Sequence, residues 1–140
     1  MADVGVSSCM KTLLVATDFE DAALRAETMA RELAVTHSAS LHLVHVVEPI
    51  GRPDDLDEED RAFLDGLELK ARHRMQERQE ALAGVPVHCT VVLGRRSEVI
   101  ARMAHEMDAW MIVMGSHPGR EEGLSRQVTF RIERPVLLVP

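Results

Sequence analysis

Cysteine and long hydrophobic runs are scarce in this 140-residue sequence, and basic residues are fewer than acidic ones. The two cysteines, Cys9 and Cys89, are most simply reduced thiols of a cytoplasmic protein, and a bridge between them is the alternative. The longest apolar runs extend over only a few residues, which excludes a membrane span. Residues 1–10 lack the basic region and long apolar stretch of a signal peptide. The net charge of −7 excludes a general nucleic-acid binder, which would carry a basic field.

Catalytic and metal-binding motifs are missing as well. The sequence contains no G-x-S-x-G elbow, no H-E-x-x-H helix and no Walker loop, so we do not expect an enzyme. Its seven histidines lie in separate segments, apart from His42 and His45. Because these two are three residues apart on a predicted strand, they point to opposite faces and cannot share one ion. We therefore expect no metal site.

Strand-like and helix-like segments alternate along the chain. The segments between the strands have helical periodicity, and a short last helix is predicted from about residue 124. Continuous apolar strands that alternate with helices predict an α/β fold, an open doubly wound five-stranded parallel sheet with about four helices. A loose segment, 1–10, precedes a single domain, 11–140. The five predicted strands are 11–17, 40–47, 86–93, 109–115 and 135–139.

Apolar stripes on the predicted helices select core residues. Met29 and Leu67 lie on the stripes of the first two helices, and Met103 and Met107 lie on that of the third. We expect all four side chains to be buried against the sheet. Ser97 is predicted to cap the third helix.

The stretch VMGSHPGREEGLSRQVTF, residues 113–130, begins like the mouth of a phosphate site. Glycines at a strand–helix junction let backbone N–H groups converge on an anion, and Gly115 and Gly119 stand at such a junction. The junction follows the fourth strand, and ligands of doubly wound sheets bind beyond the carboxyl ends of the strands. Pro118, however, has no N–H to donate, and two glutamates follow it. The alternative is that the two glycines only form a tight turn.

Four segments together resemble the universal stress protein family. They are LLVATDFEDAALRA, LHLVHVV, DAWMIVMGSHPG…GLSR and RPVLLVP, and their order and spacing are specific as a set. The resemblance covers 11–140. It implies the five-stranded fold and a homodimer joined through the last strand, at Val136, Leu137, Leu138 and Val139.

The resemblance also implies a possible nucleotide site, because one branch of the family binds ATP and another does not. Carried over, Asp18 would meet adenine or ribose, the backbone of Val47 would line the site, and the phosphate loop would begin at Gly115. For Asp18 the alternative is a cap on the first helix. The candidate nucleotide-binding residues are Ala16, Thr17, Asp18, Val47, Met114, Gly115, Ser116, Gly119 and Arg120.

The loop departs from the family pattern G-x2-G-x9-G-[S/T]. Three residues separate Gly115 from Gly119, and Thr129 and Phe130 stand where the last glycine and its hydroxyl partner are expected. A phenylalanine there would obstruct a phosphate, and the two glutamates would repel it. We therefore expect that the adenosine half of the site survives and that the phosphate half is damaged.

Two functions follow from this interpretation. The first is a universal-stress-type regulatory domain that acts as a homodimer through contacts with an unknown protein partner, without ATP turnover. The alternative is a sensor that binds an adenine nucleotide, ATP or AMP, and retains part of the family's site. No other cofactor, no nucleic acid and no membrane is expected.

Overall fold

Short strands alternate with longer helices in the computed structural model of this chain, which describes residues 10–49, 51, 53–116, 126–128 and 133–140. The strands are β1 (Thr12–Ala16), β2 (Ser40–Val47), β3 (Val87–Leu93), β4 (Met111–Gly115) and β5 (Val136–Val139). The helices are α1 (Asp21–His37), α2 (Glu58–Ala81) and α3 (Arg96–Glu106), with a short 3₁₀ helix at Pro53–Asp55. Residues 126–128 are also helical, and the rest of the predicted last helix lies outside the described residues.

The strands form one parallel sheet in the order β3-β2-β1-β4-β5, so the predicted doubly wound fold is confirmed. The predicted strand bounds hold to within one residue, except that β4 begins at Met111 rather than at residue 109. The reason is that the N–H of Ala109 still bonds to the carbonyl of Ala104, 2.9 Å away, and so completes the end of α3. β1 lies between β2 and β4, where the strand order switches and a crevice opens at the carboxyl ends.

Each face of the sheet has its own apolar core, because successive strand residues point to opposite faces. Leu13 and Leu43 belong to one core, which α1 and α2 cover with Ala30 and Met75. Leu14 and Val44 belong to the other core, together with several α3 side chains. The half-buried Cys89 packs at the edge of the first core. Burial raises the pKa of its thiol to about 11, so the thiol is protonated at neutral pH.

The prediction that Met29, Leu67, Met103 and Met107 are all buried is wrong. Met29 is 40% exposed, because alanines form the face of α1 that packs on the sheet and Met29 lies at the flank of that face. Leu67 on α2 is also exposed. Met103 and Met107 are half-buried at the border of the second core rather than inside it.

An ion pair connects α1 to α2 on the face of the sheet that both helices cover. Glu27 is fully buried, and its Oε1 accepts a hydrogen bond from Nε of Arg78 at 3.0 Å. Thr17 Oγ1 donates to the other carboxylate oxygen at 3.5 Å. Arg78, which interrupts the apolar stripe of α2, is therefore the counter-ion of a buried acid. Burial raises the pKa of Glu27, although the bond and the charge of Arg78 act in the opposite direction.

This raised pKa predicts that Glu27 destabilises the folded protein as it ionises. The folded protein holds the proton of Glu27 to a higher pH than the unfolded chain does. The stability from this group is therefore complete below the ordinary pKa of 4.5 and is lost as the pH rises through the raised value. The free energy of unfolding of the wild type, minus that of Glu27→Gln, should fall as the pH rises above about 4.5 in urea denaturation.

Glu106→Gln, at an exposed carboxylate, is the control for the loss of one carboxyl group. A wild-type minus Glu27→Gln difference that stays constant over this pH range would contradict the prediction.

Candidate nucleotide site

The turn between β1 and α1 is built on the two oxygens of Thr17. Its Oγ1 accepts the N–H of Phe19 at 3.1 Å, and its carbonyl oxygen accepts a hydrogen bond from Nδ1 of His45 at 2.8 Å. Asp18 Oδ1 accepts the N–H of Glu20 at 2.9 Å. Glu20 is the residue that caps α1, and its side chain makes no capping bond. Asp18 therefore bonds one position before the helix and is not its N-cap.

Phe19 adopts a left-handed backbone conformation, with a φ of 66°. Such a conformation is unfavourable for a bulky residue and persists only where its surroundings hold it. The ring of Phe19 lies 4.6 Å from that of His45, and the guanidinium of Arg74 lies 5.0 Å from its centre. These contacts and the bond to Thr17 hold the turn in the geometry that places Asp18 at the sheet edge.

A cavity opens beside this turn, at the carboxyl ends of β1, β2 and β4 and the start of α3. The empty space of this cavity, out to its mouth, is about 430 Å³. The walls are mainly apolar, and a few polar groups stand among them, as in many small-molecule sites. The lining residues are Ala16, Thr17, Asp18, Ala23, Val44, His45, Val46, Arg96, Ile100, Met114 and Gly115.

Five of the candidate residues from the sequence meet in this cavity, namely Ala16, Thr17, Asp18, Met114 and Gly115. Val47 is buried beside it, and its carbonyl oxygen accepts the N–H of Gly94 at 3.0 Å, whereas Val46 lines the wall. Ser116 comes directly after Gly115 and is not part of the cavity wall. Its N–H donates to the carbonyl of Val139 at 2.7 Å. Gly119 and Arg120 lie outside the described residues.

Two polar residues of the cavity, His45 and Arg96, are not among the candidate residues from the sequence. The signal that could have found both is the parallel sheet itself, since it brings the ends of β2 and β3 to the edge where β1 ends. His45 is near the end of β2, and Arg96 follows β3 directly.

The N-terminus of α3 binds a carboxylate of this chain. Glu48 Oε1 accepts the N–H of Arg96, the first residue of the helix, at 2.9 Å. The prediction that Ser97 caps this helix is wrong: Arg95 is the N-cap residue and makes no side-chain capping bond, while Ser97 is buried within the first turn. Glu48 takes over the capping role, because a carboxylate is favoured at the positive end of a helix.

His45 is held neutral at pH 7. Its burial lowers the pKa of the imidazole most, and the positive charges of Arg96 and Arg74 lower it further. The bond to Thr17 and the carboxylate of Asp18 act in the opposite direction. Because a carbonyl oxygen can only accept, Nδ1 carries the proton, and Nε2 of the neutral ring is an acceptor.

Metal ligands do not gather anywhere in the described part of the chain: none of its His, Cys, Asp and Glu residues form a group of three or more that could hold an ion. His42 and His45 face opposite sides of the sheet, and His42 Nε2 lies 2.7 Å from Thr90 Oγ1. No helix among the described residues is long and apolar enough to cross a membrane.

The family follows from a comparison of the whole sequence. The model of the universal stress protein family matches residues 10–140. The chain belongs to the universal stress protein family. It is 36% identical over 138 residues to the universal stress protein in the QAH/OAS sulfhydrylase 3' region of Thermus aquaticus, a match that covers 92% of this chain and 98% of the relative.

Solved structures of universal stress proteins have the same fold. UspA from Lactobacillus plantarum matches with a TM-score of 0.83 at 25% identity, over 93% of this chain and 97% of that one. A universal stress protein from Archaeoglobus fulgidus, in complex with dAMP, matches with a TM-score of 0.71 at 22% identity, over 94% of this chain and 98% of the other.

Gly115 lines the cavity and also packs closely against α1. A Cβ at this position would lie 2.7 Å from backbone atoms of Ala22 and Ala23, at the start of α1. Gly115→Ala should therefore force α1 away from β4 and cost about 1–3 kcal/mol in the free energy of unfolding.

Gly66→Ala is the matched control for this prediction. A Cβ at Gly66, in the interior of α2, would have nothing within 4 Å, so the change should stabilise the protein by about 0.5–1 kcal/mol. Urea denaturation of both variants is the measurement. Equal stabilities of Gly115→Ala and the wild type would refute the close contact.

Proposed function

We propose that this universal stress protein domain binds an adenine mononucleotide in the cavity beside Thr17 and Asp18 and regulates other proteins without turning ATP over. The observation that carries the proposal is the position of the cavity. It lies at the switch in strand order, where doubly wound sheets bind their ligands, and five of the candidate residues from the sequence lie in its wall.

The chemistry of the walls suits a nucleoside. Val44, Ile100 and Met114 offer apolar surface to a flat base. Asp18 supplies an acidic side chain at the edge of the cavity, where it would accept hydrogen bonds from ribose hydroxyls or from an adenine amine. The neutral His45 adds an acceptor nitrogen. A few polar groups on apolar walls are the usual arrangement for orienting such a ligand.

The loop supports a mononucleotide rather than a triphosphate. The chain has Thr129 and Phe130 where the ATP-binding pattern has a glycine and a hydroxyl residue. Side chains at these two positions would obstruct the approach of the second and third phosphates to backbone N–H groups. The Archaeoglobus fulgidus family member in complex with dAMP makes AMP a suitable first probe.

Calorimetric titration with AMP and with ATP tests the proposal. Both should bind with similar, weak affinity, with a Kd near or above about 0.1 mM, because only the adenosine half and one phosphate contribute. Asp18→Ala should weaken both ligands. Asp21→Ala removes an exposed carboxylate of the first turn of α1, outside the cavity wall, and should leave both affinities unchanged.

Two results would contradict this proposal in different ways. Micromolar binding of ATP, tenfold tighter than that of AMP, would show that the phosphate loop is intact. No binding of either nucleotide would exclude the nucleotide site.

We also propose that the protein acts as a homodimer, and the exposed edge of the sheet favours this assembly. β5 is the last strand in the sheet order and pairs with β4 on one side, and its Leu138 is 43% exposed. An apolar edge strand favours pairing with a further strand, and a second copy across a two-fold axis would pair with the backbone of 136–139 on the side away from β4. Such a dimer would regulate other proteins by binding to them.

Light scattering at tens of micromolar should give the mass of a dimer, a concentration chosen to exceed ordinary dimer affinities. Leu138→Arg should shift the protein towards the monomer, because it places a charge in the paired edge. Leu93→Arg is the matched control: Leu93 is 46% exposed on β3, at the opposite edge of the sheet, and its change should leave the mass unaltered. A monomeric wild type would exclude this assembly.

A further inference from the structure

We propose that Arg96 makes the cavity select a phosphorylated nucleoside over the neutral nucleoside. This inference rests on the proposed nucleotide site and adds a contact that the sequence resemblance does not include. Arg96 lines the same cavity as Asp18 and His45, yet it comes from the start of α3, which follows β3 in the chain.

The backbone of Arg96 is held firmly at the cavity. It is the first residue of α3, and its N–H bonds to the carboxylate of Glu48. One turn later, Ile100 is fully buried in the second core and also lines the cavity. The helix is therefore fixed at both points, and the guanidinium extends from a rigid base.

The guanidinium itself is only loosely paired. Its Nε lies 3.9 Å from Oε2 of Glu48, which is beyond hydrogen-bond distance, and the two side chains are 44% and 42% exposed. Such an exposed pair contributes little stability, so a ligand can replace it at small cost. Guanidinium donors match the oxygens of a phosphate in a bidentate geometry.

Other charges around the cavity leave this role to Arg96. Asp18 and Glu48 are acidic, and His45 is neutral. Arg74 lies against the ring of Phe19 and is absent from the cavity wall. Arg96 is thus the cation that lines the cavity within the described residues.

The preceding residue provides a matched control. Arg95 lines a different cleft, with Glu48 and Glu98, and its Nη1 lies 3.6 Å from Oε1 of Glu98. Arg95 and Arg96 carry the same charge and are adjacent in sequence, but only Arg96 contributes to the candidate site. A general effect of net charge on anion binding would therefore follow either arginine, whereas a specific contact would follow Arg96 alone.

The carboxylate of Glu48 should weaken the binding of a phosphorylated ligand, the opposite of the effect expected from Arg96. Its carboxylate competes with a ligand phosphate for the guanidinium of Arg96 and for the N-terminus of α3. In Glu48→Gln the amide oxygen can still accept the N–H of Arg96, while the negative charge is removed. This variant should bind a phosphorylated ligand more tightly and leave the binding of a neutral nucleoside unchanged.

The experiment measures the ratio of the adenosine Kd to the AMP Kd by NMR titration. In the wild type the ratio should be about ten, as expected for one charge-assisted contact. It should fall to about one in Arg96→Gln, with the Kd for adenosine unchanged. Arg96→Lys should recover part of it, Arg95→Gln should keep the wild-type ratio, and Glu48→Gln should raise it.

The outcomes separate this inference from the proposed function. If adenosine and AMP bind the wild type equally well, or if Arg96→Gln keeps the wild-type ratio, Arg96 has no such role although the nucleotide site stands. If Arg95→Gln lowers the ratio as much as Arg96→Gln does, a general charge effect replaces the specific contact. If neither ligand binds the wild type, the proposed function fails and this inference fails with it.

Discussion

The hydrogen bonds of Thr17 are the constraint on which the candidate site depends. The hydroxyl binds the backbone of Phe19 and the buried Glu27, and the carbonyl oxygen binds His45. One residue at the end of β1 therefore joins the turn, α1 and β2. Its contacts hold Phe19 in a left-handed conformation and place Asp18 at the cavity. A polar group at the end of a buried strand must find such partners, because an unsatisfied one is costly.

Two ion pairs, one in the core and one at the surface, join helices to neighbouring elements. The pair of Glu27 and Arg78 joins α1 to α2 inside the fold, and the pair of Glu48 and Arg96 joins β2 to α3 at its edge. The inner pair is buried and hydrogen-bonded, so it is a structural link. The outer pair is exposed and loose, so its charges remain available to a ligand. Burial alone separates the structural role from the proposed binding role.

Much of the fold could be predicted from the sequence, because continuous apolar strands and amphipathic helices determine the layers. Individual side chains were less predictable. The cap of α3 comes from Glu48, which is 48 residues before Arg96, so no local pattern at Ser97 could reveal it. Arg96 was missed for a related reason: its place in the cavity depends on the order of strands in the sheet. Asp18, Met114 and Gly115 were predictable because each lies within two residues of the end of a strand next to the switch point.

The central claim is that the end of β1 builds a nucleotide-binding cavity, and a crystal structure of the protein soaked with AMP tests it most directly. The account predicts electron density for the base against Val44 and Met114, with ribose near Asp18 and the phosphate within reach of Arg96. Density for AMP at another surface, or an empty cavity at a saturating AMP concentration, would contradict it.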